Sequence, residues 1–345
     1  MAETNKADSR LAVLSRWVFE DLGFAGSRIE PASADASFRR YFRLTRGRDT
    51  YIVMDAPPDK ENLQPFLQVA DILIGLGLNV PWVLARDLTH GLLLLSDLGS
   101  IQYLDALTAR NADRLYSNAL AALATMQTAG ALGGRRLPRY DQTLLVREMQ
   151  LMPEWFLNRH LGLKLEPAER DSFDRLFAAL TQAALEQPSG FVHRDYHSRN
   201  LMVCTDNNPG ILDFQDAVQG PLTYDLVSLL KDCYLEWPTP RVRTWALEYR
   251  ERLLLAGVPA GTDEAQFIQW FDLMGVQRHI KVLGIFARLY YRDGKSQYLK
   301  ELPRVLRYTQ AAAAQYAQTA EFADFLEQRV APEFERAQAR ALALP

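Results

Sequence analysis

The chain reads His-Arg-Asp-Tyr-His-Ser-Arg-Asn from His193 to Asn200 and Ile-Leu-Asp-Phe from Ile211 to Phe214, and the spacing of these two runs decides its fold. Between them lie two short apolar runs, 201–204 and 211–212, separated by Thr-Asp-Asn-Asn-Pro-Gly at 205–210. Asn, Asp, Pro and Gly favour reversals because their side chains or backbone preferences stabilise turns. The segment therefore reads as a β-hairpin whose ends return side by side. Asn200 stands just before its first strand and Asp213 at the end of its second. An amide oxygen and a carboxylate suit magnesium, which takes a few hard oxygen ligands beside substrate phosphates. Asp195 precedes the hairpin on a tight loop, where it can accept a proton from an attacking hydroxyl. A base and two metal ligands in this order point to phosphoryl transfer from ATP. Chance occurrence of His-x-Asp-x4-Asn in a chain of this size is roughly one in a hundred.

At 345 residues the chain exceeds one typical core and calls for two lobes. Hydrophobic residues make up 48% and charged residues 23%, as in an ordinary soluble protein. A net charge of −3 argues against a nucleic-acid partner. Two thiols, Cys204 and Cys233, suit a reducing compartment and require no disulfide. The start, Met-Ala-Glu-Thr-Asn-Lys-Ala-Asp, has no apolar signal core, and the run Leu-Leu-Leu-Leu at 92–95 is far too short to span a bilayer. A cytoplasmic monomer with no membrane partner is expected.

Residues 9–22 carry Leu11, Leu14, Val18 and Leu22 at helical spacing, with Gly23 just beyond. A β-rich section follows: Phe38, 41–44 and 51–54 are strand-like and broken by Gly47-Arg48-Asp49. Asn62 is placed to cap a helix whose stripe is Leu63, Phe66, Leu67, Ala70 and Leu73. Residues 80–85 and 92–95 read as two further strands. After Gly99 the chain turns helical to Gln187, and again from Thr239 to the end. The expected class is α+β: an antiparallel-sheet N-lobe at 1–95 holding the nucleotide loop, a hinge at 96–100, and a mostly helical C-lobe at 101–345 with the catalytic loop and acceptor site. In such an order the hinge backbone, at Ser96, Asp97 and Leu98, can hydrogen-bond an adenine ring, and the triphosphate lies in the cleft between lobes.

With these residues laid out, the chain resembles the aminoglycoside phosphotransferase and choline kinase branch of the protein-kinase-like fold. Within that branch it is most similar to the bacterial cell-wall amino-sugar kinases that phosphorylate the anomeric hydroxyl of N-acetylmuramate and N-acetylglucosamine. The resemblance covers nearly the whole chain. It rests on His193–Asn200, on Leu-Asp-Phe-Gln-Asp-Ala from Leu212, on Asp-Ala-Ser-Phe-Arg-Arg-Tyr-Phe-Arg from Asp35, on Met-Asp-Ala-Pro-Pro from Met54, and on Gln-Arg-His-Ile-Lys-Val-Leu-Gly-Ile-Phe-Ala-Arg from Gln277. It implies ATP as donor, magnesium as cofactor and Asp225 as a brace of the catalytic loop beside His193. A helix N-cap is the competing reading of Asp225. His197 stands where protein kinases carry Lys. The eleven residues between Asp213 and Asp225 leave no room for a long activation segment.

Two departures stand out. The nucleotide loop 32–37 has no glycine, which leaves Ser33 and Ser37 to touch phosphate. Met54 or Asp55 occupies the strand position where relatives carry a phosphate-binding lysine, although the triphosphate still needs a cation. Arg40, Arg43 and Lys60 are the candidates, Arg40 and Arg43 foremost because they flank the loop. For the acceptor, Glu148, Glu154 and Trp155 suit a sugar ring, His197 lies in the catalytic loop, and Arg278, Lys281, Arg288 and Arg292 follow helical spacing. One of these cations would meet the lactyl carboxylate of N-acetylmuramate, while a solvated basic face is the competing reading. Acidic residues keep an aminoglycoside or choline acceptor open. The missing lysine also admits a catalytically silent nucleotide-binding module, against which Asp195, Asn200 and Asp213 together argue.

Overall fold

The computed structural model describes residues 2–34, 38–133 and 137–342. Its strands are β1 (Arg28–Ala34), β2 (Arg40–Arg46), β3 (Asp49–Asp55), β4 (Val83–Asp87), β5 (Leu92–Ser96), β6 (Ser189–Val192), β7 (Leu201–Met202), β8 (Gly210–Ile211) and β9 (Val218–Pro221). The helices used below are α1 (Ala2–Arg16), α2 (Gln64–Gly75), α3 (Tyr103–Ala106), α4 (Ala112–Gly133), α5 (Gln142–Met149), α6 (Pro167–Leu185), α7 (Tyr224–Leu230), α8 (Thr239–Leu255) and α9 (Glu264–Asp293). Among the described residues no helix is long and apolar enough to cross a membrane.

The chain divides into two compact units, Met1–Gln102 with Leu201–Asp216, and Tyr103–Asn200 with Ala217–Pro345. The first is built on an antiparallel sheet of order β1-β2-β3-β5-β4. Leu44, Val53, Leu92 and Leu94 from the sheet pack with Leu14, Trp17 and Val18. Thus the apolar stripe expected over 9–22 is a helix that continues as a π-helical turn at Trp17–Asp21. Sequence reading placed a strand from residue 80, whereas β4 begins at Val83. Pro81 has no N–H to donate to a ladder, which fits the later start. β1 was not legible, because Pro31 interrupts its pattern and the register shifts between Pro31 and Ser33.

The hairpin β7–β8 belongs to this first unit, and its hydrogen bonds say why. Val203 N–H donates to Ile101 O (2.8 Å) and Ile211 N–H to Asn79 O (2.7 Å). Asn207 Nδ2 donates to Gly77 O (2.8 Å). Phe214 packs on Phe66 of α2, with ring centroids 4.9 Å apart. Backbone groups that would otherwise be orphaned away from water are thereby paired.

The second unit is helical around α9, which is buried along most of its length. It is buried on apolar and charged faces alike, with Asp272, Gln277, Arg278, His279 and Lys281 enclosed beside Phe267, Val276 and Leu283. Its closest approach is at Gly284, where an added Cβ would lie 2.3 Å from the carbonyl carbon of Leu151. Only hydrogen fits there, so the backbones touch. The ladder β6–β9, with register Phe191↔Gln219 and Val192↔Val218, delivers the chain to loop 193–200.

Candidate active site

Loop 193–200 is folded by side chains that reach it from later in the chain. Arg194 has φ 77°, a left-handed backbone rare outside glycine. The Asp225 carboxylate, in the first turn of α7, receives the N–H of His193 (2.6 Å) and of Arg194 (2.9 Å), and these two bonds hold the unusual backbone. Burial pushes the Asp225 carboxyl up to about 7, although both N–H donors pull it down. Asp232 acts further along, accepting from Ser198 N–H (2.9 Å) and Tyr234 N–H (2.9 Å). Inside the loop, Asp195 O accepts from His197 N–H (3.0 Å) and from Asn200 Nδ2 (3.0 Å). His193 Nδ1 accepts the Asp195 N–H (3.3 Å), and Tyr196 ties the loop to α4 through Ala119 O (2.8 Å).

The electrostatics around Asp195 are set from the same unit. Burial alone would raise its carboxyl, but Lys281, His197, Arg194 and Arg278 outweigh burial and hold it below the ordinary carboxylate range. A carboxylate that stays ionised among buried cations has the protonation state a general base needs. Glu148 balances two of those cations: it pairs with Arg194 and with Lys281 Nζ (3.0 Å). Tyr140 donates to Glu148, and Lys281 donates to Tyr224 Oη (2.9 Å). Burial pushes the His197 imidazole down, against the pull of Asp232 and Asp195. Its Nδ1 is buried and has no partner among the described residues.

The acceptor candidates fall into different places. Glu148, Arg278 and Lys281 are only 6%, 3% and 7% exposed. They form the charged support beneath Asp195 and are not an open surface, and Arg278 Nη1 reaches the Cys233 thiol (3.4 Å). The basic stripe expected along α9 is therefore internal at its inner end, while Arg292 is exposed and pairs with Asp293. Glu154 sits in the π-helix Met152–Leu161 and lines a cavity of about 570 Å³ with Pro153, Asn158, Lys164 and Arg170. No residue of loop 193–200 lines that cavity, and Trp155 packs against the helical core. Asp232 escaped sequence reading: it stands seven residues after Asp225, just past the end of α7, where no local pattern marks it.

In the first unit, Asp213 leaves β8 with φ 62°, a second left-handed residue of a kind that gathers at functional sites. Its Oδ1 accepts from Gln215 Nε2 (2.6 Å). The Asn200 amide, in the second unit, donates its nitrogen to Asp195 O (3.0 Å). Hard oxygen donors of both kinds fit magnesium. Asp55, fully buried, receives Arg40 Nε on one oxygen (3.0 Å) and Arg10 on the other. Two guanidiniums on one carboxylate leave a net positive charge where relatives' lysine was expected. Arg43 is otherwise engaged: it grips Asp97 (2.7 and 3.1 Å) and Gly99 O (2.8 Å), fixing segment 97–99. Lys60 lies over the Phe38 ring at 5.6 Å. Ser96 Oγ accepts the Trp82 N–H (2.8 Å), and Leu98 O accepts from the Cys204 thiol (3.5 Å). Ser33 is paired through its backbone with Tyr41 in the β1–β2 ladder, while Ser37 lies outside the described residues.

Residues 28–268 match the model of the phosphotransferase enzyme family. A curated relative, the N-acetylmuramate/N-acetylglucosamine kinase of Pseudomonas aeruginosa, is 50% identical over 296 residues, 86% of this chain and 87% of the relative. The enzyme of the same name from Pseudomonas putida is 43% identical over 330 residues, 92% and 96% of the two chains. Among solved structures, a GDP complex of an aminoglycoside 2'-phosphotransferase variant aligns with TM-score 0.62 at 15% identity, covering 90% of this chain and 99% of that one. The choline kinase LicA of Streptococcus pneumoniae aligns with TM-score 0.61 at 12% identity, covering 87% and 99%. The two structures carry the fold; the two relatives carry the kinship.

Proposed function

We propose, since this chain belongs to the phosphotransferase enzyme family, that it is an ATP-dependent kinase acting on the anomeric hydroxyl of N-acetylmuramate and N-acetylglucosamine in peptidoglycan recycling. The observation that carries the reading is Asp195, a carboxylate held ionised by buried cations at the centre of a braced loop, in a chain half identical to an enzyme named for those two sugars. A cytoplasmic setting, where ATP is available, fits this reading.

Asp195 is assigned the role of base. It orients the sugar hydroxyl and takes its proton as the γ-phosphoryl group passes to the sugar oxygen and ADP departs. Because the transition state is loose, positioning and charge neutralisation supply most of the rate, and the proton moves late. Asn200 and Asp213 are the residues assigned to magnesium, which when bound neutralises phosphate charge. Ser33, Ser37 and the segment Ser96, Asp97 and Leu98 are assigned to the nucleotide, and His193 and Asp225 to loop support. Arg40 is assigned as the phosphate-facing cation, because it shares the single Asp55 carboxylate with Arg10 and a net positive charge remains, whereas Arg43 is matched one-to-one by Asp97. Replacing Arg40 with Ala leaves Asp55 still neutralised by Arg10, so the fold survives. The KM for ATP should rise about tenfold or more while the KM for sugar holds; an unchanged ATP constant would remove Arg40 from the site.

The reading as a whole is tested by coupled ATP consumption with N-acetylmuramate, N-acetylglucosamine, an aminoglycoside and choline in parallel. Turnover with the two amino sugars is expected. Turnover with the aminoglycoside or choline alone would overturn it.

A further inference from the structure

One arginine beside the base has no acid to answer it. Arg199 directly precedes Asn200 in the catalytic loop and is half-buried. Its guanidinium lies 4.8 Å from the ring centroid of Tyr234 and 6.0 Å from that of Tyr298, and both phenols favour its charged form. Among the described residues it makes no ion pair. The other cations around Asp195 are matched or enclosed: Arg194 and Lys281 share Glu148, and Arg278 faces the Cys233 thiol. A guanidinium has five N–H donors, so two phenols leave part of its fork unspent.

The surroundings of Arg199 suit a sugar. Tyr234 packs on Phe286 (6.1 Å between centroids), and Phe286 on Tyr298 (5.1 Å), which makes a continuous aromatic patch. The His197 ring meets Tyr234 edge-on at 5.4 Å, and His197 feels the charges of both Asp195 and Arg199. Patch, arginine and base are therefore neighbours within one unit. Aromatic faces with one well-placed charge are the usual lining of small-molecule sites, and a planar fork held between rings is preorganised for a carboxylate.

We propose that Arg199, set on the Tyr234–Phe286–Tyr298 patch, receives the lactyl carboxylate of N-acetylmuramate and so decides between carboxylated and neutral amino-sugar acceptors. This rests on the amino-sugar reading above. It moves the carboxylate contact from Arg278 and Lys281, which are enclosed, to a cation that sequence periodicity did not single out.

The test crosses a change in the enzyme with a change in the substrate. The wild-type enzyme should lose about tenfold or more in kcat/KM when the lactyl carboxylate is converted to its methyl ester. Arg199→Gln should treat acid and ester within about twofold of each other, because no charge remains to tell them apart. Equal discrimination by wild type and variant, or none by wild type, would overturn the assignment. Should Arg199→Gln fail to turn over or to fold, calorimetric binding of acid and ester to Arg199→Lys reads the same ratio. Intermediate discrimination supports the assignment and undiminished discrimination contradicts it. Failure of the amino-sugar reading itself looks different, because the wild-type enzyme would then phosphorylate neither N-acetylmuramate nor N-acetylglucosamine.

Discussion

Asp195→Asn is expected to lower kcat by roughly 10²–10⁴-fold while ATP binding changes little. The amide preserves shape and can still accept a hydrogen bond from the sugar hydroxyl, but it cannot take the proton. Lys281, His197, Arg194 and Arg278 would then surround a neutral side chain. Two consequences distinguish this from misfolding. The loop should persist, because its frame is Asp225 on the N–H groups of His193 and Arg194 and Asp232 on Ser198, none of which the substitution touches. The wild-type pH profile should also lack an acid limb from Asp195 at mildly acidic pH. Its carboxyl is held below the ordinary value near 3.9, so the base stays ionised above it and is lost only as pH falls below it. Stopped assays across pH, with circular dichroism on the variant, check both. A loss in kcat under about tenfold would mean that Asp195 is not the base.

Asp213→Ala is expected to have the second large effect, on nucleotide binding as well as on turnover. Asp213 holds a left-handed backbone at the end of β8, and its carboxylate is fixed by Gln215 and backed by the packing of Phe214 on Phe66. Such a backbone is a departure from low-energy geometry that the hairpin's ties to Ile101, Asn79 and Gly77 sustain. Loss of the carboxylate should lower kcat/KM for magnesium-ATP by about 10²-fold or more. It should also make activity far more sensitive to magnesium concentration, while affinity for metal-free nucleotide stays near that of wild type. Titrating activity against magnesium at fixed ATP measures this, and an unshifted titration would contradict the metal role.

The run His193–Asn200 and its hairpin were legible in the sequence because the run is local. His193–Asn200 and Asp213 lie within one short stretch, and the Asn-Asn-Pro-Gly turn between them announces a hairpin. The α+β order was legible for a similar reason, since strand and helix periodicities change abruptly after Gly99. What stayed hidden depends on contacts across long separations. Nothing local marks Arg43 as the partner of Asp97, or Arg10 and Arg40 as the two partners of Asp55. The stripe of Arg278 and Lys281 looks like a solvated helix face until Glu148 is seen closing on it from 133 positions away in the chain. Likewise Arg199 is one basic residue among 39 until Tyr234 and Tyr298 are found against it. The pair β6–β9 was missed because each strand is only four residues long and the two are more than twenty residues apart.

Phosphorus NMR of the product made from ATP and N-acetylglucosamine tests the central claim most directly. The account predicts a single new phosphate resonance coupled to the anomeric proton, and no product from the 1-deoxy sugar. A phosphate coupled to the protons of carbon 6, or turnover of the 1-deoxy sugar, would contradict it.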